Sequence, residues 1–420
     1  MRSLLVALLV LPLSVLPVLS QQGRGGQQSG LTLDEARRLA EEASPEIVAA
    51  RAALGAAEGW VRQAGAFPNP VLSYNREQTS GGGIENSQDI IGLEQSLELG
   101  GQRGARRGAA EQLRAASDAR LQGARAQVAF EVTRAYAEAL AADRRAALTE
   151  QAAQVFGEAG RVGRERLAAG DISGYEHRRI RLEAARYSAL QTEAELESSR
   201  ARRALAALLS TPDRPMQARA LVLSDTLAAG RLPVGVDSLV ALAVATRPEL
   251  LAIEREADAA RAEARLARAE RIPTPTLAGG YKHERTSAGS LDGFAAQLSV
   301  PLPLWDRKGG AIQAAEAEAE RRTADIAALQ RRTELDVREA HDSYEALALQ
   351  LLSLGARVRE DARPGIRAAR TAYREGETSL IEWLDAVRAF HEAESSYARL
   401  SSEHIVQRAA LERLTGLTLF

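Results

Sequence analysis

The feature that most constrains this chain is an internal repeat, because a unit written twice in the sequence must be folded twice. Short segments recur in the same order in both halves, and the spacing between partners stays nearly constant. Each unit is predicted to contain a helix, two strands, a long helix, a turn and a further helix. The corresponding segments are Ser44-Pro45-Glu46 with Arg247-Pro248-Glu249, Phe67-Pro68-Asn69-Pro70 with Ile272-Pro273-Thr274-Pro275, and Gly170-Asp171-Ile172-Ser173 with Gly376-Glu377-Thr378-Ser379.

Each unit opens with a predicted helix, at 34–66 in the first half and 237–270 in the second. Thr32 and Glu35 have the spacing of a capping box at the start of the first helix. Pro68 and Pro70 forbid its continuation, because proline lacks the amide donor that a helix needs.

A long proline-free stretch from Gly104 to about Ala168 predicts one helix of ~95 Å. Its larger apolar residues recur at steps of four, seven and eight, which keeps them near one face. No single globular core has this length, so the helix must pack beside others as in a coiled coil. The long helices are predicted at 104–168 and 174–209, and again at 309–374 and 380–414, with a kink or break at Pro364.

The strands are predicted in the gaps between helices, at 71–77, 89–99, 276–284 and 293–304. Apolar and polar residues alternate along the second and fourth strands, although Gln95 interrupts the apolar side. The connecting segments, 78–88 and 285–292, are rich in Gly and Ser and are predicted to be loops.

The amino terminus resembles a secretory signal over residues 1–20, with Arg2 followed by an apolar run. Residues 21–30 are predicted to be a flexible lead-in, and the two repeats fill 31–225 and 226–420. The net charge of −2 gives no reason to expect nucleic acid. The absence of cysteine excludes disulfides, thiolate metal sites and a lipidated amino-terminal cysteine.

Four strands are too few to close a barrel, which needs about eight at minimum. An open sheet edge is prohibitive in lipid, so several copies are expected to share one barrel. Their polar faces would line a wet lumen and their apolar faces would meet lipid. The alternative for the strands alone is a soluble hairpin packed on helices, but the signal sequence, the repeat and the long helices favour the barrel.

These segments resemble the TolC-like outer-membrane efflux protein family, over about Leu31 to Leu417. The resemblance implies a mainly α protein with a small transmembrane β part, in which a homotrimer forms a long antiparallel α-helical barrel continued by a β-barrel. It also implies a periplasmic adaptor, or membrane fusion, protein as partner and an inner-membrane pump behind it. The matching residues are Leu33-Asp34-Glu35-Ala36, Ser44-Pro45-Glu46, Phe67-Pro68-Asn69-Pro70, Leu97-Glu98-Leu99-Gly100-Gly101-Gln102-Arg103 and Tyr373-Arg374-Glu375-Gly376-Glu377-Thr378-Ser379.

Through this resemblance, the turns farthest from the barrel are expected to dock the adaptor. The alternative is that they are only turns that reverse the chain. The turn residues are Gly170, Asp171, Ser173, Gly376, Glu377, Thr378 and Ser379.

A second candidate site is the acidic pair Glu382 and Asp385, which are three residues apart and share a helix face. The resemblance implies that this face lies at the narrow periplasmic end of the tunnel. Copies of the pair would form carboxylate rings that attract cations, although a solvated helix face is the alternative. Arg374 and Arg388 are candidates to pair with these acids and hold the end closed. The predicted lumen residues of the barrel are Glu94, Ser96, Glu98, Gln297 and Ser299.

The predicted function is a passive exit duct for small molecules or metal ions across the periplasm and outer membrane. The alternatives are a secreted structural coiled-coil protein without a pore, and a type I protein-secretion duct. No enzyme and no cofactor are expected, because the five histidines lack metal-ligand spacing and no phosphate loop or nucleophile elbow is present. The segment 97–104 most resembles the heavy-metal and cation branch of the family, but the sequence does not name the cargo.

Overall fold

The computed structural model describes residues 30–81, 84–224, 234–375 and 377–416. The predicted signal sequence, most of the lead-in and Gly376 lie outside these residues. The first half contains α1 (Leu33–Ala43), α2 (Pro45–Ala64), β1 (Val71–Gly81), β2 (Ile84–Ser96), α3 (Gln102–Ala169) and α4 (Gly174–Leu209). The second half contains α5 (Val236–Thr246), α6 (Pro248–Ala269), β3 (Thr276–Thr286), β4 (Gly289–Ser299), α7 (Gly309–Arg357), α8 (Arg363–Glu375) and α9 (Leu380–Thr415).

The predicted fold class, mainly helical with four antiparallel strands in two halves, is confirmed. The capping box at Thr32 and Glu35 is also present. The prediction of one opening helix in each half was wrong, because each is divided before a proline. Ser44 and Arg247 leave the helical conformation, and Pro45 and Pro248 begin the next helix. Proline disfavours helix in the residue before it but fits the first turn of a new helix.

The predicted strand bounds were wrong because both hairpins lie farther from the helices than expected. β1 and β3 continue into the predicted loops, as far as Gly81 and Thr286. β2 and β4 begin earlier and end earlier, at Ser96 and Ser299. Pro301 and Pro303 explain the end of β4, since proline cannot donate to a sheet ladder.

The helix predicted at 309–374 is also interrupted, by a π-helical turn at Val358–Ala362 between α7 and α8. Pro364 has no amide hydrogen for the carbonyl four residues before it. The Arg363 amide instead donates to the Val358 carbonyl, five residues back. This π-helical turn accommodates the proline without ending the helix.

The helices pack as one layer in which α3, about 100 Å long, is central. α2 packs on α3 near the sheet, and α4 packs on α3 from the far turn backwards. α6 and α9 contact both α3 and α7. The layer therefore has α4 on one flank and α7 on the other. No described helix is long and apolar enough to cross a membrane.

The sheet joins the two halves at its centre. Its order is β1-β2-β3-β4 with every neighbouring pair antiparallel, so that β2 of the first half pairs with β3 of the second. Within the described protomer, β1 and β4 each keep one unpaired edge.

Candidate functional site

The two turns that reverse the long helices share one backbone design. α3 ends at Gly170 in a left-handed conformation with φ 83°, which glycine adopts without steric cost. The Asp171 amide then donates to the Arg166 carbonyl at 2.8 Å, and the Glu377 amide donates to the Ala372 carbonyl at 2.9 Å. Equivalent closing bonds in both halves show that the repeat extends to the turns.

The returning helices α4 and α9 both begin with a capping box. Ser173 accepts from the Glu176 amide, and the Glu176 carboxylate accepts from the Ser173 amide. Ser379 and Glu382 form the same pair of bonds at 2.8 and 3.2 Å. Of the turn residues singled out in the sequence, the two serines therefore start the helices, and Asp171 and Glu377 are left exposed.

Both turns lie at the same end of the molecule. Ile172 of the first turn packs on an apolar cluster that also includes Leu380 and Leu384 from α9. In this cluster Tyr373 stacks on Trp383 with ring centroids 5.1 Å apart, which favours a packing role for the pair.

Glu382 is held by the capping box rather than by an arginine. Hydrogen bonds from the Ser379 backbone and side chain lower the pKa of the Glu382 carboxyl below its ordinary value, so it is charged at neutral pH. Asp385 is half exposed, one turn farther along α9. The two carboxylates therefore lie on the first two turns of the same exposed helix start.

The two candidate arginines differ in what they contact. Arg388 lies 3.3 Å from Asp385 and 3.4 Å from Glu183 of α4, and so ties α9 to the first half. Within the described part of the chain, Arg374 lies within 4.0 Å of no carboxylate and is exposed. The structure thus brings together Arg388 and Asp385 but leaves Arg374 apart.

A buried carboxylate above this end was not identified from the sequence. Glu394 of α9 is 3% exposed. Its carboxylate oxygens form salt bridges with Nε of Arg363 at 2.8 Å and with Nη2 of Arg144 at 3.3 Å. The three residues connect α8, α9 and α3 at the junction with the π-helical turn. The burial of Glu394 could have been predicted from the sequence, because it lies in a stripe of residues spaced four and three positions apart. The stripe is Leu380, Leu384, Val387, His391, Glu394 and Ala398. A charge on such a stripe must find a partner.

α8 is the least anchored of the long-helix segments. None of its described residues is buried. Residues of α8, α3 and α9 line a groove of about 530 Å³, and residues of α7, α8 and α9 line another of about 420 Å³. Trp383, Phe390 and Arg367 are among the residues that line these grooves.

Four of the predicted lumen residues lie on one face of the sheet. Glu94 pairs with Ala278, which pairs with Gln297, and Ser96 pairs with Thr276, which pairs with Ser299. Directly paired residues point to the same side of a sheet. The same face continues with polar residues farther out, where Gln88 donates to Glu77 and Lys282 pairs with Glu284.

Glu98, the fifth predicted lumen residue, lies beyond the end of β2 at the junction with the helices. Its carboxylate accepts hydrogen bonds from both terminal nitrogens of Arg106, at 2.7 and 3.2 Å. This side-chain hydrogen bond lowers the pKa of the Glu98 carboxyl. Arg106 and Arg103 also donate to the Ala64 and Gly65 carbonyls, so they cap the end of α2.

Gln102 of the first half caps the end of α6 in the second half, a role that was not predicted from the sequence. It is 4% exposed, and its amide nitrogen donates to the Ala269 and Ile272 carbonyls at the end of α6. Its amide oxygen accepts from the Gly100 amide. Among the described residues, no three acidic or histidine side chains gather into a cation site.

Comparison with known proteins agrees with this architecture. The family model described as outer membrane efflux protein matches residues 36–211 and 239–417, once in each half. The cobalt-zinc-cadmium resistance protein CzcC of Cupriavidus metallidurans is 26% identical over 403 residues, which cover 96% of this chain and 93% of CzcC. The nickel-cobalt-cadmium resistance protein NccC of Alcaligenes xylosoxydans xylosoxydans is 27% identical over 275 residues, or 65% of this chain and 61% of NccC.

A solved structure of a membrane protein from Pseudomonas aeruginosa superposes with a TM-score of 0.75 and 22% identity, over 91% of this chain and 93% of that one. Proteins of the matched family form trimeric channels in tripartite efflux systems. The chain is an outer-membrane efflux channel protein that extends into the periplasm, and the family is not enzymatic. The two family matches cover most of the chain, and it therefore belongs to the outer membrane efflux protein family.

Proposed function

We propose that three copies of this chain form one passive duct whose cargo is divalent transition-metal cations. The observation that carries the shared duct is the pair of open edges on β1 and β4, since an unpaired edge in lipid must be closed by another copy. Closing β1 of one copy against β4 of the next adds four strands to the barrel for each copy.

The flanks of the helical layer support the same assembly. α4 exposes Tyr175, Leu182 and Leu196, of which Leu182 is 72% exposed. α7 exposes Leu335, Leu349 and Leu352. Most of these residues are separated by seven or fourteen positions, the repeat of a coiled-coil seam. The α4 flank of one copy is proposed to pack on the α7 flank of the next, which would bury both stripes.

The metal cargo rests on likeness, because CzcC and NccC carry the names of cobalt, zinc, nickel and cadmium resistance proteins. Loss of this chain in its own cell is expected to raise sensitivity to Co²⁺, Zn²⁺ and Cd²⁺, and re-expression is expected to restore growth. Ion conductance of the purified protein in planar bilayers tests the duct separately. Unchanged metal sensitivity together with intact conductance would support the proposed duct but contradict the proposed metal cargo.

Docking of a periplasmic adaptor is proposed at the two turns, where Asp171 and Glu377 are exposed. The chain contains no cysteine, so Asp171→Cys and Glu377→Cys can each carry a photoreactive cross-linker. Both are expected to cross-link the adaptor, whereas Asp213→Cys, exposed near the far end of α4, is not. Equal cross-linking from Asp213 would contradict docking at the turns.

We also propose that the turns form a cation-attracting gate. Glu382 and Asp385 would supply the charge, and Arg388 would hold α9 against Glu183 of α4. The loose packing of α8, its two flanking grooves and the π-helical turn at its start favour α8 as the part that moves.

A further inference from the structure

One face of the sheet carries the same contact in both hairpins. The Tyr74 hydroxyl donates to Asp89 at 2.8 Å, and Arg76 lies 3.7 Å from the same carboxylate. In the second hairpin the Tyr281 hydroxyl donates to Asp292, and Nδ1 of His283 lies 2.6 Å from that carboxylate. We call each set of tyrosine, base and aspartate a clamp: Tyr74, Arg76 and Asp89 in the first hairpin, and Tyr281, His283 and Asp292 in the second.

The two clamps lie at one height, because Asp89 is directly opposite His283 where β2 pairs with β3. Toward the helices, the next row on this face is Tyr74, Ile91, Tyr281 and Phe294. Away from the helices, the next row is Gln78, Ser87, Arg285 and Ser290. This face therefore changes from apolar to polar at the clamps.

The apolar side of that change is open within the protomer. Phe294 is 94% exposed, and Leu298 and Leu93 are more than half exposed. Near the helices the apolar residues continue to Leu302 and end at Trp305, which is 93% exposed and is followed by Asp306, Arg307 and Lys308. An apolar band with aromatic residues at both limits and charges beyond them is typical of membrane barrel strands.

We propose that the two clamps mark the outer limit of the hydrocarbon layer on the lipid-facing side of the barrel. The tyrosine rings lie in the last apolar row and their hydroxyls reach the first polar row, the placement that amphipathic tyrosine prefers. Asp89 is hydrogen-bonded by Tyr74 and paired with Arg76, and Asp292 is hydrogen-bonded by Tyr281 and His283. These bonds lower the cost of placing a carboxylate beside hydrocarbon. The occupant of the apolar band is lipid, and the inference rests on the shared barrel proposed above.

The dimensions agree with this placement. At ~3.3 Å per residue and a tilt of ~40°, β4 from Phe294 to its end at Ser299 rises by roughly 13 Å. The exposed apolar residues that follow the strand, from Val300 to Trp305, lengthen the band toward the ~25 Å of outer-membrane barrels. The outer ends of both hairpins, beyond the clamps, then lie among headgroups and water rather than in the hydrocarbon layer.

Single spin labels test the limit directly, because the chain has no native cysteine. Ala296→Cys lies in the apolar band, Ser290→Cys lies beyond the clamp on the same strand and face, and Gln297→Cys lies on the opposite face. In liposomes of outer-membrane lipids, the ratio of collision with oxygen to collision with a water-soluble nickel complex is expected to be several-fold higher at 296 than at 290 or 297.

Two results would overturn the inference. A ratio at 290 as high as at 296 would place the limit beyond the clamps, and a high ratio at 297 with a low one at 296 would reverse the two faces. Conductance of the same liposomes separates this outcome from failure of the duct. Conducting liposomes with a high ratio at 290 reject only the clamp assignment, whereas liposomes without conductance and without lipid contact at any label reject both.

Discussion

At the scale of single residues, the charged side chains near the turns differ in how firmly other residues hold them. Glu394 is buried between two arginines, and Glu382 is bound to the start of its own helix. Asp385 is half exposed beside Arg388, and the turn carboxylates Asp171 and Glu377 are exposed. A carboxylate in this region is thus not by itself an indication of a gate, and its contacts decide its role.

Removing the buried carboxylate is expected to be costly. Glu394→Ala leaves Arg144 and Arg363 without their partner, although both are about half exposed and can turn to water. The free energy of unfolding is expected to fall by about 1–3 kcal/mol, less than for a fully buried pair. Thermal or denaturant unfolding of the purified protein in detergent measures the change.

Glu403→Ala is the matched control, because Glu403 forms an exposed pair with Arg399 on the same helix. It is expected to change the free energy of unfolding by less than about 0.5 kcal/mol. Equal effects of the two substitutions would show that burial of Glu394 is not what makes it important.

The capping box allows the gate charge to be separated from the helix start. Glu382→Gln retains the capping geometry, since glutamine serves at this position as well, but removes the charge. Combined with Asp385→Asn, it is expected to weaken block of the conducting pore by multivalent cations. Ser379→Ala removes the cap and keeps both charges, with a cost of about 1 kcal/mol to the helix start.

Block in planar bilayers, measured as the cation concentration that halves the current, distinguishes the two variants. The variant Glu382→Gln with Asp385→Asn is expected to require a higher cation concentration for half block. Ser379→Ala is expected to be blocked at the same concentration as the parent protein. If the cap variant alone changes block, the acids act through structure and the gate charge assignment fails.

At the scale of elements, the two long helices are equivalent in sequence position but not in form. α3 is continuous over 68 residues, whereas α7 gives way to a π-helical turn and α8. The difference follows from Pro364, for which α3 has no counterpart. The half that carries the acidic pair therefore also has the weaker helix.

Pro364→Ala restores an amide donor and is expected to regularise the helix through 358–366. A gain of roughly 1–3 kcal/mol in stability and slower amide hydrogen exchange in this segment should follow. Gly365→Ala is the control, because it raises helix propensity by up to ~1 kcal/mol without adding a donor. Equal protection in both variants would assign the π-helical turn to packing rather than to the proline.

At the scale of the whole molecule, the protomer has unpaired surfaces on both sides. The sheet has open edges at β1 and β4, and α4 and α7 expose leucines along the two flanks of the helical layer. β1 and β4 are the two opposite edges of the sheet, and α4 and α7 are the two opposite flanks of the helical layer. Closure by further copies would satisfy the strands and the helices at once.

Leu335→Asp tests the flank, because a charge in a coiled-coil seam opposes association. Trimers in detergent are expected to be lost, with the helical circular dichroism of the protomer retained. Analytical ultracentrifugation measures the association state. Leu113→Asp, on the central helix α3, is the control and should leave trimers intact; trimers that survive Leu335→Asp would contradict the proposed seam.

Much of the fold could be predicted because its determinants are local. Prolines, glycines and capping residues fix where helices start and stop, and the period of apolar residues separates strand from helix. Ser379 and Glu382 show the limit of this reasoning at the site. Their spacing was visible, but only the hydrogen bonds of the structure revealed that Glu382 caps its helix, whereas the sequence suggested Arg374 and Arg388 as partners of the acids.

By itself, the sequence determined that one unit is folded twice, that each unit contains very long helices, and that four strands are too few for a barrel. Only the tertiary structure decided that β2 joins β3, that Gln102 caps α6, that Arg363 and Arg144 meet on Glu394, and that the two clamps lie at one height. These contacts join residues far apart in the chain, so their free energy depends on how whole helices and strands pack, and no local pattern encodes it.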